Sequence, residues 1–145
     1  MSEQDIIIYI CHNSLPAGTS VAALARRAEE NARGVRVVVR EVPCSGKTDV
    51  VYLLRAFEGG ARGVAILTCP LGECRLAEGN YRAQVRARNV GRLLDEIGLG
   101  SERLILLHSA PGPAGRDATA LIEQAVARLS ALPENPIGSL RTQPK

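Results

Sequence analysis

A four-stranded parallel α/β sheet with helices on both faces is the fold that this 145-residue chain predicts, on three observations. Four short runs are apolar and rich in β-branched residues; longer stretches of helical composition follow them; and the two kinds alternate along the whole chain. Such alternation requires crossover connections, which leave consecutive strands parallel and lay their helices across the sheet. The first strand is Asp5 to Ile10, where Ile6-Ile7-Ile8-Tyr9-Ile10 runs without polar alternation, as a doubly covered strand does. Val35 to Val42, Gly63 to Thr68 and Arg103 to His108 have the same character and are bounded by Gly, Pro or Ser. Between and after them, Ser20 to Ala32, Asp49 to Glu58 and Asn80 to Ile97 read as helices that stop at Gly34, Gly59-Gly60 and Gly98. Gly115 to Ala131 is the fourth helix, with Leu121, Ile122, Ala125, Val126 and Leu129 at spacings of three and four, closed by Pro133. The expected strand order is 2-1-3-4, a Rossmann- or flavodoxin-like arrangement. Residues 1–132 then form one domain and residues 133–145, with three prolines, a flexible C-terminal tail.

Composition narrows the function. Hydrophobic residues at 46% and charged residues at 23% exclude a disordered or collagen-like chain. A net charge of +3 and 3% aromatics offer little to a polyanion or to stacking bases, so nucleic acid is not an expected partner. Sixteen of the eighteen basic residues are arginine, which in an Ala-, Gly- and Val-rich chain reads as the imprint of a GC-rich genome. No apolar run approaches the roughly 20 residues that span a bilayer. The start Met1-Ser2-Glu3-Gln4-Asp5 lacks a basic, then apolar, leader, so no membrane insertion and a cytoplasmic location are expected.

Four cysteines are the unusual feature, because in a reducing cytosol thiols serve as metal ligands, redox groups or core more often than as disulfides. Each lies just beyond a predicted strand: Cys11 after the first, Cys44 after the second, Cys69 and Cys74 after the third. In a parallel sheet the loops after the strand C-termini share one edge, where ligands bind at the reversal of winding. With strands spaced about 4.8 Å apart, the four sulfurs are expected within about 10 Å of one another. Four thiolates suit an iron–sulfur cluster or a closed zinc site, and the spacing alone does not choose between them.

Other motifs are weaker. Cys69 and Arg75 have the spacing of a cysteine-dependent phosphatase loop, but Glu73 would repel the phosphate and Pro70 removes an amide beside the nucleophile. Gly46-Lys47-Thr48 resembles the end of a phosphate loop, yet the glycine that should open the loop is Glu41, so a tight turn with Thr48 or Asp49 as helix cap fits better. His12 and His108 end strands at the cysteine edge, where a loop histidine hydrogen-bonded to the backbone is more expected than a ligand, a proton carrier or a donor to sulfur. Arg82, Arg86, Arg88 and Arg92 dot the third helix, as solvated surface or as a patch for an acidic partner. Around the cysteines, Leu15, Pro16, Pro70 and Leu71 with Arg75 and Arg82 would give a docking face with a partly dry centre and a basic rim.

Several segments taken together carry a family resemblance: Tyr9-Ile10-Cys11-His12-Asn13, Val42-Pro43-Cys44-Ser45-Gly46-Lys47, Ala56 to Val64, Cys69-Pro-Leu-Gly-Glu-Cys74, Glu78-Gly79-Asn80-Tyr81 and Ile97 to Leu104. The chain resembles the methyl-viologen-reducing hydrogenase delta-subunit family, also called the hydrogenase iron–sulfur subunit, from about Ile6 to Ser109. The resemblance implies a small subunit whose 1–132 domain binds one 2Fe–2S cluster. It further implies that the subunit relays electrons between a hydrogenase or other donor and the flavin subunit of a heterodisulfide-reductase-like complex, without substrate chemistry of its own. Cys11, Cys44, Cys69 and Cys74 match family cysteines and are the implied ligands. Two departures stand out: Ser14 replaces a further family cysteine, and Arg75 replaces a histidine. The competing readings are a structural zinc or cluster-free docking adaptor, and a phosphatase using Cys69 and Arg75.

Overall fold

In a computed structural model, which describes residues 4–11, 20–30, 32, 34–42, 50–68, 79–108 and 118–137, the strands are β1 (Ile6–Cys11), β2 (Val37–Val42), β3 (Gly63–Thr68) and β4 (Leu104–His108). The helices are α1 (Val21–Glu29), α2 (Val50–Glu58), α3 (Gly79–Glu96) and α4 (Ala118–Ser130), and a short 3-10 turn, Ser101–Arg103, leads into β4. All strand pairs are parallel and the order is β2-β1-β3-β4, as the alternation predicts. β2 and α1 are shorter than their sequence signals, Val35 to Val42 and Ser20 to Ala32, since residues at frayed ends carry the composition of an element without its hydrogen bonds. Cys11 corrects one detail: it is the last residue of β1, paired with Val42 of β2, and does not lie beyond the strand.

Alternation along the strands sorts the core into two layers. Ile6, Ile8 and Ile10 of β1 pack with Val37, Val39, Ala65, Leu67 and Ile105 beneath α1 and α4. Ile7 and Tyr9 pack with Val64, Ile66 and the partly buried Leu104 and Leu106 beneath α2 and α3, against Leu53, Phe57, Val90 and Leu94. β1 is buried along its whole length because both of its faces are covered, which is why its sequence shows no polar alternation.

Two of the predicted glycine stops are built alike. After α3, Gly98 takes φ +85° and its amide donates to the Asp95 carbonyl while Leu99 N donates to Leu94 O at 2.9 Å. After α2, Gly60 at φ +98° donates to Phe57 O and Ala61 N to Ala56 O. Both are the paired bonds that close a helix end through a left-handed residue, a conformation that glycine adopts without steric cost.

The strand N-termini carry a polar clamp that no local pattern in the chain announces. Arg103, only 5% exposed, donates through Nε to Leu99 O and through its two Nη atoms to Arg62 O, Pro133 O and Glu134 O. Asn135, fully buried, donates to Phe57 O and Ala61 O, and exchanges a pair of hydrogen bonds with the Gln4 side chain. Residues 133–137, assigned by composition to the tail, are thus packed against the body of the domain, and residues 138–145 lie outside the described residues. Side-chain amides and a guanidinium satisfy backbone groups here that neither sheet nor helix reaches.

Candidate metal centre

The opposite, C-terminal edge of the sheet is where the cysteines are expected. Cys11 lies there, buried with a free thiol, at the end of the central strand β1. Its register partner Val42 ends β2, and one step beyond the Ile10–Leu67 pair Thr68 ends β3. Thr68 in turn pairs with His108, the last residue of β4. The strand ends therefore stand abreast. The sequence attaches Cys69 directly to Thr68 and Cys44 two residues after Val42, so the chain leads to further cysteines from the strand ends on either side of Cys11. Cys44, Cys69 and Cys74 themselves lie outside the described residues, as do His12, Ser14, Leu15, Pro16, Gly46, Lys47, Thr48, Asp49, Pro70, Leu71, Gly72, Glu73 and Arg75. Among the described residues, no three His, Cys, Asp or Glu side chains are grouped to hold a metal ion.

The period of two also assigns a side to the site. Ile7 and Tyr9 face α2 and α3, so Cys11, two residues further on, projects to that same face. Val42, Thr68 and His108 occupy the equivalent position on their strands, and a row Val42, Cys11, Thr68, His108 crosses the end of the sheet. This follows from strand register, which loop composition could not supply.

The row is partly polar and internally bonded. Thr68, fully buried, shares a hydrogen bond between its Oγ1 and His108 Nδ1. Burial holds the His108 imidazole below its ordinary pKa, favouring the neutral ring. His108 thus differs from the expected loop histidine bonded to backbone: it is the last residue of β4, and its partner is the side-chain hydroxyl of Thr68. Beside Cys11, Tyr9 packs against Tyr52 of α2, ring centroids 5.2 Å apart and planes at 48°. Burial first, then the Tyr52 hydroxyl nearby, pushes the Tyr9 phenol well above its ordinary pKa, so it stays protonated. Reading from sequence missed the Tyr9–Tyr52 pair; the signal available was Tyr9 two residues before Cys11 on one strand face.

A buried thiol between two strand ends that lead to further thiols fits a multi-cysteine centre better than an isolated core cysteine. Thiolate donors suit iron–sulfur clusters and zinc alike.

Comparison with known proteins agrees with this chemistry. The profile of the family described as "Methyl-viologen-reducing hydrogenase, delta subunit" matches residues 6–133. The vhu iron-sulfur subunit of the F420-non-reducing hydrogenase of Methanococcus maripaludis is 32% identical over 137 residues, covering 94% of this chain and 98% of that protein. Its counterpart from Methanocaldococcus jannaschii is 33% identical over 132 residues, covering 91% and 95%. A different architecture is also similar. Over 100 residues, 68% of this chain, there is 30% identity to a stretch making up 12% of one subunit of the ferredoxin/F(420)H(2)-dependent CoB-CoM heterodisulfide reductase of Methanosarcina acetivorans.

Proposed function

Because the chain belongs to the methyl-viologen-reducing hydrogenase delta-subunit family, we propose that it is an electron-transfer subunit carrying a 2Fe–2S cluster on Cys11, Cys44, Cys69 and Cys74. The observation that carries this reading is the buried thiol of Cys11 at the C-terminal edge, flanked by the ends of β2 and β3 that lead to Cys44 and Cys69. The cluster, when bound, accepts and releases one electron at a potential set by burial and by hydrogen bonds to its sulfurs.

The protein's own contribution is positional. β1, paired with β2 and β3, holds Cys11 at its end: Cys11 pairs with Val42, and Ile10 before it with Glu41 and Leu67, so a shift of this segment would break two ladders. The Thr68–His108 bond ties the end of β3 to β4 immediately before Cys69. Tyr9, two residues before Cys11 on the same strand, packs its ring against Tyr52 of α2.

The relatives indicate the setting. Iron-sulfur subunits of F420-non-reducing hydrogenases and one subunit of a heterodisulfide reductase are similar to this domain. That pairing supports a relay between a hydrogenase or other donor and the flavin subunit of a heterodisulfide-reductase-like complex. Among the described residues, no helix is long and apolar enough to cross a membrane. Anaerobic purification followed by iron and acid-labile sulfide analysis and a visible spectrum tests the proposal. Two irons and two sulfides per chain with charge-transfer absorption are expected; zinc without sulfide, or a colourless metal-free protein, would overturn it.

A further inference from the structure

The five large hydrophobic side chains most exposed among the described residues, between 39% and 64% accessible, are Val51, Tyr52, Val85, Leu93 and Ile97. All five belong to α2, α3 or the turn that ends α3, so they lie on one side of the sheet. On the other side, the exposed residues of α1 and α4 are alanines, polar and charged groups, among them Arg27 in an ion pair with Glu123 at 3.6 Å. Isolated surface hydrophobics are ordinary, but their confinement to one face is the mark of an interaction surface.

Charge follows the same division. From Gly79 to Arg92, α3 contains four arginines and no acidic residue, and Arg82, Arg88 and Arg92 are exposed. Asp95 and Glu96 come only in its last turn. Beside α3, an open groove of about 670 Å³ runs to the edge strand β4, lined among others by Arg88, Arg92, Asp95, Leu104 and Leu106. α3 therefore stands as a ridge between α2 and this groove.

Cys11 projects toward this same side, and Tyr52 joins the two features: its ring packs on Tyr9, two residues before Cys11, while 43% of it faces solvent. We infer that the α2–α3 face is the docking surface for the electron-exchange partner, and that the partner covers it with an acidic, partly apolar protein surface. The inference rests on the proposed electron-transfer role, since tunnelling falls steeply with distance and favours a partner seated on the side to which Cys11 points. It extends the expected contact from the cysteine loops onto two helices. A second copy of this chain is a poor occupant: a self-complementary contact would oppose a helix carrying four arginines and two acids to its own like net charge.

The test places a photoreactive benzophenone side chain at Val85 and at Leu93, with Ala23 and Ala127 on the opposite face as controls, in the full chain expressed in its own host. Adducts from 85 and 93, but not from 23 and 127, with an Asp/Glu-rich segment of a flavin- or iron–sulfur-containing protein are expected. With that protein purified, Arg88→Glu with Arg92→Glu should slow association by about tenfold at low salt and flatten its salt dependence, whereas Arg26→Glu with Arg27→Glu should not. Adducts with a second copy, with a segment free of acidic residues or with a protein lacking a redox cofactor would overturn the inference. So would equal yields from both faces, or unchanged association of the α3 variant. Iron and sulfide content of the same preparations is read independently, so failure of the cluster assignment is distinguished from failure of the docking surface.

Discussion

At the strand N-termini, Arg103, Asn135 and Gln4 knit together segments as far as 131 residues apart, each bond a neutral or charge-assisted contact to a backbone group. At the strand C-termini, the described side chains form a short row, Val42, Cys11, Thr68 and His108, in which a side-chain hydrogen bond links the last two. The first end is bonded largely within its own chain, with Arg62 Nε as a buried donor left unpaired among the described residues. The second offers the buried thiol of Cys11, and on the proposed reading it must keep that thiol uncommitted while the distant edge supplies rigidity. Ligand edges and stability edges are divided in this way in other parallel sheets.

The comparison breaks most visibly at the cysteine edge. Cys69→Ala and Cys74→Ala should each abolish the visible absorption of the purified protein, whereas Ser14→Ala should leave it largely intact. Bleaching by Ser14→Ala with a dispensable cysteine would reassign the ligands. Thermal unfolding of these variants without metal should match that of the metal-free parent, since the thiols bear little on the clamp.

The clamp edge should respond in the opposite sense. Arg103→Met retains length but removes the donors to four backbone carbonyls, and a loss of about 3 kcal/mol is expected by urea unfolding, with iron content per folded chain unchanged. Loss of iron with unchanged stability would dissolve the division between the two ends.

A smaller effect is expected where β3 begins. A Cβ at Gly63 would stand 2.5 Å from Cδ2 of the fully buried Leu129. Gly63→Ala should cost about 2 kcal/mol through overpacking, and Leu129→Ala should offset part of it in a double-mutant cycle.

The smallest effect belongs to His108. Its folded pKa lies below the ordinary 6.5, so the unfolded chain binds the proton more readily. Its contribution to stability is therefore full above about pH 6.5 and is lost as pH falls through the window below that value. The urea midpoint should fall between about pH 7.5 and about pH 5.5, and less so in His108→Gln.

The apolar runs, the glycine stops and the alternation determined four strands, four helices and their parallel arrangement, because covered strands and helix ends are specified by nearby residues. Cys44, Cys69 and Cys74 follow strands by sequence alone and lie outside the described residues, so of the four cysteines the structure places Cys11. Within the motif Ile97 to Leu104 the Gly98 stop was legible from nearby residues, but that Arg103 reaches Pro133 and Glu134 was not, because it depends on segments about 30 residues apart in the chain. Residues 133–137 read as tail because their few apolar side chains give no periodic signal, while Asn135 is bound through its amide. Register was likewise a tertiary decision. It made Cys11 the final residue of β1 and turned it toward α2 and α3, since a shift of one residue would have sent the thiol to the opposite face.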